Sequence, residues 1–123
     1  MLFHGSNNPS LSINEISIIR TGQKQAKKGR VFGGFYCTDN IDHAIQYANM
    51  CQGIPAVYNV TLRENVKTFS HSGDITRLSE GYINSLLSEG YQMVIGKDIR
   101  GRIEYVIIDK SALKEIENAK MRA

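Results

Sequence analysis

At 123 residues, the chain has the length of a single domain with one adequate core, so we expect one domain over residues 1–123. Its hydrophobic fraction of 41% and charged fraction of 22% are ordinary for a soluble globular protein, and no apolar run approaches the roughly 18 residues of a membrane helix. The N-terminus has neither a basic start nor a long apolar stretch, which argues against a secretory signal. These features exclude a membrane protein and predict a cytoplasmic location.

The cysteines and the basic residues give two further expectations. Cys37 and Cys51 are too few for a disulfide framework and lack metal-ligand spacing with the three histidines, so we expect reduced core thiols and no metal. The net charge of +3 is mild, but residues 24–30 gather three lysines and Arg30. This segment either meets a phosphate or forms a solvated basic loop.

The first third of the chain shows short apolar runs separated by polar segments. Residues 1–3 predict a first strand, and residues 32–38 predict a second. Residues 10–20 have a mixed apolar period, from which we predict a short helix. The lysine-rich residues 21–30 predict a loop rather than a linker between domains.

The middle of the chain predicts a helix followed by a strand. Asp39 or Asn40 can cap the helix, because a short side-chain oxygen satisfies an unpaired backbone donor of the first turn. Gly53 and Pro55 end it. Residues 56–62 then alternate between apolar and polar in the manner of a half-buried third strand.

The last part predicts one long helix, two strands and a terminal helix. Apolar residues recur at helical spacing from Asp74 or Thr76 to Glu89. Residues 91–95 and 105–108 are short β-rich runs joined by the polar loop 96–102. Residues 110–123 predict a frayed helix. Because strands dominate both ends and helices lie between them, we predict an α+β domain.

Three short motifs lie where the predicted strands begin or end. They are His4-Gly5-Ser6, the segment Phe-Gly-Gly-Phe-Tyr over residues 32–36, and Glu-Tyr-Val-Ile over residues 104–107. In this order, across nearly the whole chain, they resemble the His-Tyr-Glu branch of the ADP-ribosyltransferase family, which includes poly(ADP-ribose) polymerases. The family's motifs are His-Gly-Ser/Thr, Phe-Gly-x-Gly-Ile/Leu-Tyr and Glu-Tyr-x-Val. Each motif alone is weak, whereas three in the correct order are specific.

The resemblance implies a fold and an activity. The expected fold is a split β-sandwich of two small antiparallel or mixed sheets with flanking helices, and NAD is the expected co-substrate in the cleft between them. The implied enzyme is a small mono-ADP-ribosyltransferase, a glycosyltransferase that cleaves the nicotinamide–ribose bond. It would transfer ADP-ribose to a macromolecular acceptor, with a protein side chain as first choice and a nucleic acid as second. A bacterial or phage toxin or effector, acting in a host cytoplasm, would fit this size.

The resemblance also implies roles for five residues. His4 would hydrogen-bond a ribose hydroxyl, and Gly5 would hold the nicotinamide carboxamide through its backbone. Tyr36 and Tyr47, eleven residues apart, would stack on the nicotinamide ring. Glu104 would hold a ribose hydroxyl and stabilise the positive charge that grows on the ribose. We therefore expect Glu104, His4 and Tyr36 to be catalytic, although His4 could instead be a surface residue at a turn, Tyr36 a core residue and Glu104 a solvated carboxylate at a strand start.

Three further residues complete the expected NAD-binding set. Ser6 and Gly34 belong to the first two motifs, and Arg30 could reach the pyrophosphate. His43 and His71 are expected to be plain surface residues.

The chain departs from the family's pattern at three places. Ala44 stands where relatives often have a serine, three residues before the second stacking tyrosine. Arg102 stands two residues before Glu104, where arginine-modifying relatives carry Glu or Gln, which argues against arginine as the acceptor. Gly33 and Gly34 lack the spacer found between these glycines in many relatives.

Three rival functions remain open from the sequence. An NAD glycohydrolase would use water in place of the acceptor. A binding module would keep the cleft but lack turnover, a reading that Ala44 supports. A structural protein without a ligand is the third.

Overall fold

The computed structural model describes residues 1–16, 34–50 and 52–119. In chain order these residues form strands β1 (Leu2–Ser6) and β2 (Phe35–Cys37), helix α1 (Ile41–Met50), strands β3 (Ala56–Leu62) and β4 (Thr68–Asp74), helix α2 (Glu80–Ser88), and strands β5 (Met93–Lys97), β6 (Ile103–Ile107) and β7 (Leu113–Asn118). Short 3-10 turns occur at Ile13–Glu15, Ile75–Arg77 and Lys110–Ala112. The α+β class is thereby confirmed.

The strands form two sheets. The first has the order β1-β3-β7 and is antiparallel throughout. The second has the order β2-β6-β5-β4, in which only β4 and β5 are parallel. A single antiparallel bridge between Phe3 and Thr38 connects β1 to the end of β2. In the described part of the chain, this bridge is the backbone pairing that links the two sheets.

Two clusters of buried side chains hold these layers together. The larger cluster joins the four-stranded sheet to the segment 75–86 and to β7, with fully buried members such as Ile83, Val94 and Ile107. The smaller cluster contains Ala44, Ala48 and Val57, where α1 packs on the three-stranded sheet. Small residues on this face of α1 bring the helix close to the sheet.

Several predicted elements are confirmed with shifted bounds. The third strand matches β3 over residues 56–62, and the helix after Asn40 is α1. Asn40 rather than Asp39 caps α1, because its side-chain oxygen accepts the Asp42 N–H at 2.9 Å. The strands expected over residues 1–3, 91–95 and 105–108 are β1, β5 and β6, each displaced by a few residues.

The helix predicted over residues 74–89 is wrong in its first half. Asp74 does cap a turn, but this turn is the short Ile75–Arg77 segment, after which Leu78 is extended with ψ 128°. The helix α2 then starts again, with the Ser79 hydroxyl accepting the Tyr82 N–H. Two capping side chains five residues apart therefore divide one periodic run into two elements.

The terminal helix predicted over residues 110–123 is also wrong, because residues 113–118 form β7. The sequence analysis also missed β4, an edge strand whose polar residues, apart from Phe69, give no strand pattern. Of the helix predicted over residues 10–20, residues 10–16 are described and show only the Ile13–Glu15 turn, whereas residues 17–20 lie outside the described part of the chain. The second strand is described over Phe35–Cys37 alone.

Some predictions fall outside the described residues. They concern the loop over residues 21–30 with its basic cluster, the residues 32 and 33 of the second strand, Cys51, and residues 120–123. Cys37 is described and is a free, buried thiol, as expected. Neither described helix is long and apolar enough to cross a membrane.

The buried position of Leu113 distinguishes β7 from a loosely docked terminal helix. Leu113 is 3% exposed and faces Leu62 of β3. We expect Leu113→Ala to lower the free energy of unfolding by about 2–5 kcal/mol, as cavity-forming substitutions do. Urea denaturation measures this, with Ile99→Ala as the control because Ile99 is 85% exposed. Equal, small effects of both substitutions would contradict the assignment of Leu113 to the core.

Candidate functional site

A cleft of about 430 Å³ opens between the two sheets, beside the Phe3–Thr38 bridge. Six of the sequence-predicted site residues line it, namely His4, Gly5, Gly34 directly before β2, Tyr36, Tyr47 and Glu104. They come from β1, β2, α1 and β6, so the fold gathers residues that are far apart in the chain.

The His4 side chain lies where β1 and β2 would form their next backbone hydrogen bonds after the Phe3–Thr38 bridge. Phe3 and Thr38 exchange two backbone hydrogen bonds of 2.8 and 2.9 Å, and the His4 ring comes next, with Nδ1 2.6 Å from the backbone oxygen of Tyr36. The ring also stacks on Phe35, with centroids 3.9 Å apart. Because a carbonyl oxygen only accepts, Nδ1 carries the proton and donates it.

The protonation state of His4 follows from this position. Burial lowers the pKa of His4 to about 4, and the hydrogen bond to Tyr36 offsets only part of that shift. At neutral pH the imidazole is therefore uncharged, with Nδ1 protonated and Nε2 an acceptor. A hydroxyl group of a ligand in the cleft would donate to Nε2.

Gly5 lies at the closest approach of α1 to β1. A Cβ atom at this position would stand 2.3 Å from the backbone oxygen of Ala44 and 3.0 Å from the nitrogen of Ala48. Alternate residues of a strand direct their backbone groups to the same edge, so those of Gly5 point the same way as those of Phe3. That edge faces the gap towards β2, so the backbone N–H and C=O groups of Gly5 face the cleft. The missing side chain of Gly5 separately allows α1 to pack closely on β1.

Tyr36 and Glu104 project from the same face of the four-stranded sheet. Tyr36 is paired with Val106, and Glu104 lies two residues before Val106 on β6. Because paired residues share a face and the side-chain period of a strand is two, both side chains point to that face. The Tyr36 hydroxyl also lies 3.4 Å from the backbone oxygen of Ile75, a long contact that directs the ring over the sheet.

Glu104 has a half-buried position near the floor of the cleft. Its partner on β5 is Gly96, which adds no side chain beside it. Burial, and then the charge of Glu104, raise the pKa of the Cys37 thiol far above its usual range. Cys37 is therefore a buried thiol of low reactivity.

One face of α1 forms a wall of the cleft. Tyr47 lies there with His43, Gln46 and Met50, at the three- and four-residue spacing of one helical face. Tyr47 is 45% exposed, so its ring is available to a ligand. His43, which we expected to be a plain surface residue, is half-buried and lines the cleft. Helical spacing from Tyr47 would have identified it.

The loop between β5 and β6 forms another wall. Asp98, Ile99, Arg100 and Arg102 all line the cleft. The Asp98 side chain accepts the backbone N–H groups of Arg100 at 2.8 Å and Arg102 at 3.0 Å. The loop is thereby closed by its own carboxylate, as in an Asx turn.

Thr76 is a cleft residue that the sequence analysis missed. It follows Ile75 in the short 3-10 turn, and Asp74 accepts both its backbone N–H at 2.9 Å and its hydroxyl at 2.7 Å. These two hydrogen bonds hold the pKa of Asp74 below its usual range, with a smaller contribution from Arg77. The sequence shows Asp74 only as a helix cap, so it contains no signal for Thr76.

The remaining predicted site residues lie elsewhere. Ser6 is not among the cleft residues, and its hydroxyl accepts the Asn8 N–H at 3.1 Å, which fixes the turn after β1. Arg30 lies outside the described residues. His71 lies on β4, with Nδ1 3.0 Å from the Tyr82 hydroxyl, away from this cleft. In the described part of the chain, no three metal-ligating side chains cluster.

Comparison of the chain with known proteins gives no matching family model, no matching curated protein and no matching solved structure.

The packing of α1 on Gly5 predicts an effect on stability. A methyl group at Gly5 would overlap the Ala44 backbone, so Gly5→Ala should lower the free energy of unfolding by about 1–3 kcal/mol, as overpacking does. Gly81→Ala is the control, since nothing lies within 4 Å of the added Cβ atom on α2. Urea denaturation of both variants measures this. A Gly5→Ala protein as stable as the parent would show that α1 is not so closely packed.

The neutral state of His4 predicts a dependence of stability on pH. The folded pKa of about 4 lies below the ordinary 6.5, so the unfolded chain binds the proton first as the pH falls. The stabilising contribution is complete above pH 6.5 and is lost towards pH 4, by at most about 3 kcal/mol. Urea denaturation between pH 7.5 and 4.5 measures the slope, which should decrease in His4→Asn. An NMR titration of the His4 ring with a midpoint near 6.5 would contradict it.

Proposed function

We propose that this protein is an NAD-dependent mono-ADP-ribosyltransferase of the His-Tyr-Glu type. The observation that carries the proposal is the convergence of His4, Gly5, Tyr36, Tyr47 and Glu104 on one cleft. The resemblance was drawn from the order of the motifs in the chain, whereas the convergence is a property of the fold. Two independent kinds of observation therefore support the same set of residues.

The architecture supports the finer fold assignment that we propose, an ADP-ribosyltransferase-like split β-sandwich. The two small sheets are joined by one bridge and open beside it, so a cleft forms along their adjacent edges. Ligand sites commonly lie in such a concave place between two layers.

The cleft residues fit NAD as co-substrate. The Nε2 atom of neutral His4 is an acceptor for a ribose hydroxyl, and the backbone of Gly5 offers a donor and an acceptor, which match a carboxamide. Tyr36 and Tyr47 offer aromatic rings to the flat nicotinamide ring. Ala44 is 2% exposed and packs against Gly5, so it contributes no side-chain hydrogen bond there.

Glu104 is the proposed catalytic carboxylate. NAD supplies a positively charged nicotinamide leaving group on a ribose that gains positive charge as the bond breaks. A fixed carboxylate beside that ribose favours the charged transition state over the ground state, and it can accept a ribose hydroxyl hydrogen bond.

Incubation with NAD carrying a label in its adenosine part tests the proposal. The expected result is release of free nicotinamide together with label on a macromolecule. Free ADP-ribose with no labelled macromolecule would make the protein an NAD glycohydrolase. Binding of NAD by calorimetry without release of nicotinamide would make it a binding module, and absence of binding at millimolar NAD would reject the proposal.

Replacement of the carboxylate tests its catalytic role. Glu104→Gln removes the charge but keeps the shape, so we expect nicotinamide release to fall by about 100-fold or more while NAD still binds. Glu115→Gln is the matched control, because Glu115 is exposed on β7 outside the cleft. Release is measured by chromatography and binding by calorimetry. An active Glu104→Gln protein would remove Glu104 from the mechanism.

A further inference from the structure

We infer that a second cavity, on the face of β5 and β6 that points away from the cleft, binds a small organic phosphate monoester. This cavity has a volume of about 360 Å³ and is lined by residues 70–72 of β4, residues 95–97 of β5 and Ile103 of β6. Cavities of this size hold small ligands. The inference concerns a site outside the cleft, so it is independent of the proposed function.

The strand register places the side chains of this cavity on one face of the four-stranded sheet. Ser70 pairs with Ile95 on β5, and Lys97 pairs with Ile103 on β6. Because paired residues share a face and the side-chain period of a strand is two, these four side chains lie on the same face. Glu104 follows Ile103 in the chain and therefore points to the other face, which is that of the cleft.

A bulge in β4 forms one wall of the cavity. Over residues 70–74, β4 contains two more residues than the part of β5 that it pairs with, and residues 71–73 have no partner in the register. His71 holds this bulge in place, because its Nδ1 atom lies 3.0 Å from the Tyr82 hydroxyl on α2. The backbone oxygen of His71 would lie only 3.2 Å from a Cβ atom at Gly96 on β5. The bulge is therefore fixed on two sides, and the wall exists before a ligand binds.

Three polar side chains at this cavity have no partner within the described part of the chain. They are the hydroxyls of Ser70 and Ser72 and the ammonium group of Lys97, none of which forms a hydrogen bond or ion pair with a described residue. A hydroxyl donates one hydrogen bond and an ammonium group donates up to three. The cavity therefore offers donors from two strands to a single ligand with several acceptor oxygens.

The charges around the cavity favour an anion. Lys97 lines it, and none of the described residues that line it carries a carboxylate. The carboxylate of the neighbouring Asp98 accepts two backbone N–H groups of its own loop. Asp74, the partner of Lys97 in the register, accepts two hydrogen bonds from Thr76 and lies 3.7 Å from Arg77. The charge of Lys97 is therefore available to a ligand.

The geometry of these donors favours a phosphate over a carboxylate. A lysine ammonium is a compact point charge that binds phosphate, whereas the planar fork of an arginine matches the two oxygens of a carboxylate. The hydroxyls of Ser70 and Ser72 approach from β4 and the ammonium group from β5. Donors that lie in different directions suit the tetrahedral oxygens of one phosphate group.

Two isoleucines favour a ligand with an organic part. Ile103 is 43% exposed and Ile95 is half-buried, and both share the face of Lys97. An ester group can cover this apolar surface while its phosphate lies at the ammonium group. A nucleic acid would need several cations along its backbone, whereas one lysine lines this cavity. The cavity is therefore suited to one small monoester.

Titration of the whole chain with phenyl phosphate, followed through the backbone amide signals by NMR, is the first test. We expect the largest shifts at residues 70–73 and 95–97. Inorganic phosphate should shift the same signals but bind more weakly, since it has no group to cover the isoleucines. Absence of shifts at millimolar phenyl phosphate, shifts confined to the cleft residues, or equal affinity for the two ligands would overturn the inference.

Removal of one positive charge on either side of the β5–β6 hairpin is the second test. Lys97→Gln should weaken the binding of phenyl phosphate at least tenfold, because a charge-assisted hydrogen bond is lost. Arg102→Gln is the matched control, since Arg102 lines the cleft and not this cavity, and it should leave the affinity unchanged. The opposite order of effects would place the phosphate in the cleft, and an unchanged affinity in Lys97→Gln would remove Lys97 from the site. Either result would overturn the inference.

Discussion

The cleft depends on the side chain of His4, which takes the place of a backbone hydrogen bond between β1 and β2. Phe3 and Thr38 form one complete antiparallel bridge, and the next position towards the cleft is filled by the ring of His4, which donates to the Tyr36 backbone. A second backbone pair at that place would extend the two sheets into one continuous layer. The inserted ring keeps them apart, and the same contact fixes which ring nitrogen carries the proton.

The bridge between Phe3 and Thr38 also fixes the position of helix α1. The Thr38 backbone forms the bridge, its hydroxyl accepts the Asn40 N–H at 3.1 Å, and the Asn40 side chain caps α1. The start of α1 is therefore tied to β1, and the helix passes over Gly5 with no room for a Cβ atom. The tyrosine on α1 and the backbone of Gly5 are positioned by one connected set of hydrogen bonds.

The sequence predicted those parts of the fold in which the local pattern and the tertiary pairing agree. Strand β3 was predicted with its bounds, and buried residues alternate with more exposed ones from Tyr58 to Thr61. Strand β7 was missed because Leu113 and Ile116 are three residues apart, which is a helical spacing. The register shift beside Leu62 omits Lys114 from the pairing, so both side chains can face inward on a strand. Strand β4 lies at the edge of the four-stranded sheet and is mostly polar. Its sequence therefore lacks the alternation of apolar and polar residues that would predict a strand.

For the candidate site, the sequence predicted which residues take part but not how they are arranged in space. His4, Tyr36 and Glu104 could be named from the sequence because they lie in short motifs whose order resembles a family, yet their geometry depends on register that the sequence does not specify. Tyr36 and Glu104 share a face only because Tyr36 pairs with Val106, and a shift of one residue would turn Glu104 to the other side of the sheet. Thr76 joins the cleft because Ile75 packs against Gly96, the partner of Glu104. The glycine opposite the carboxylate therefore admits the turn that carries Thr76, because the Ile75 side chain occupies the space where a Cβ atom of residue 96 would stand.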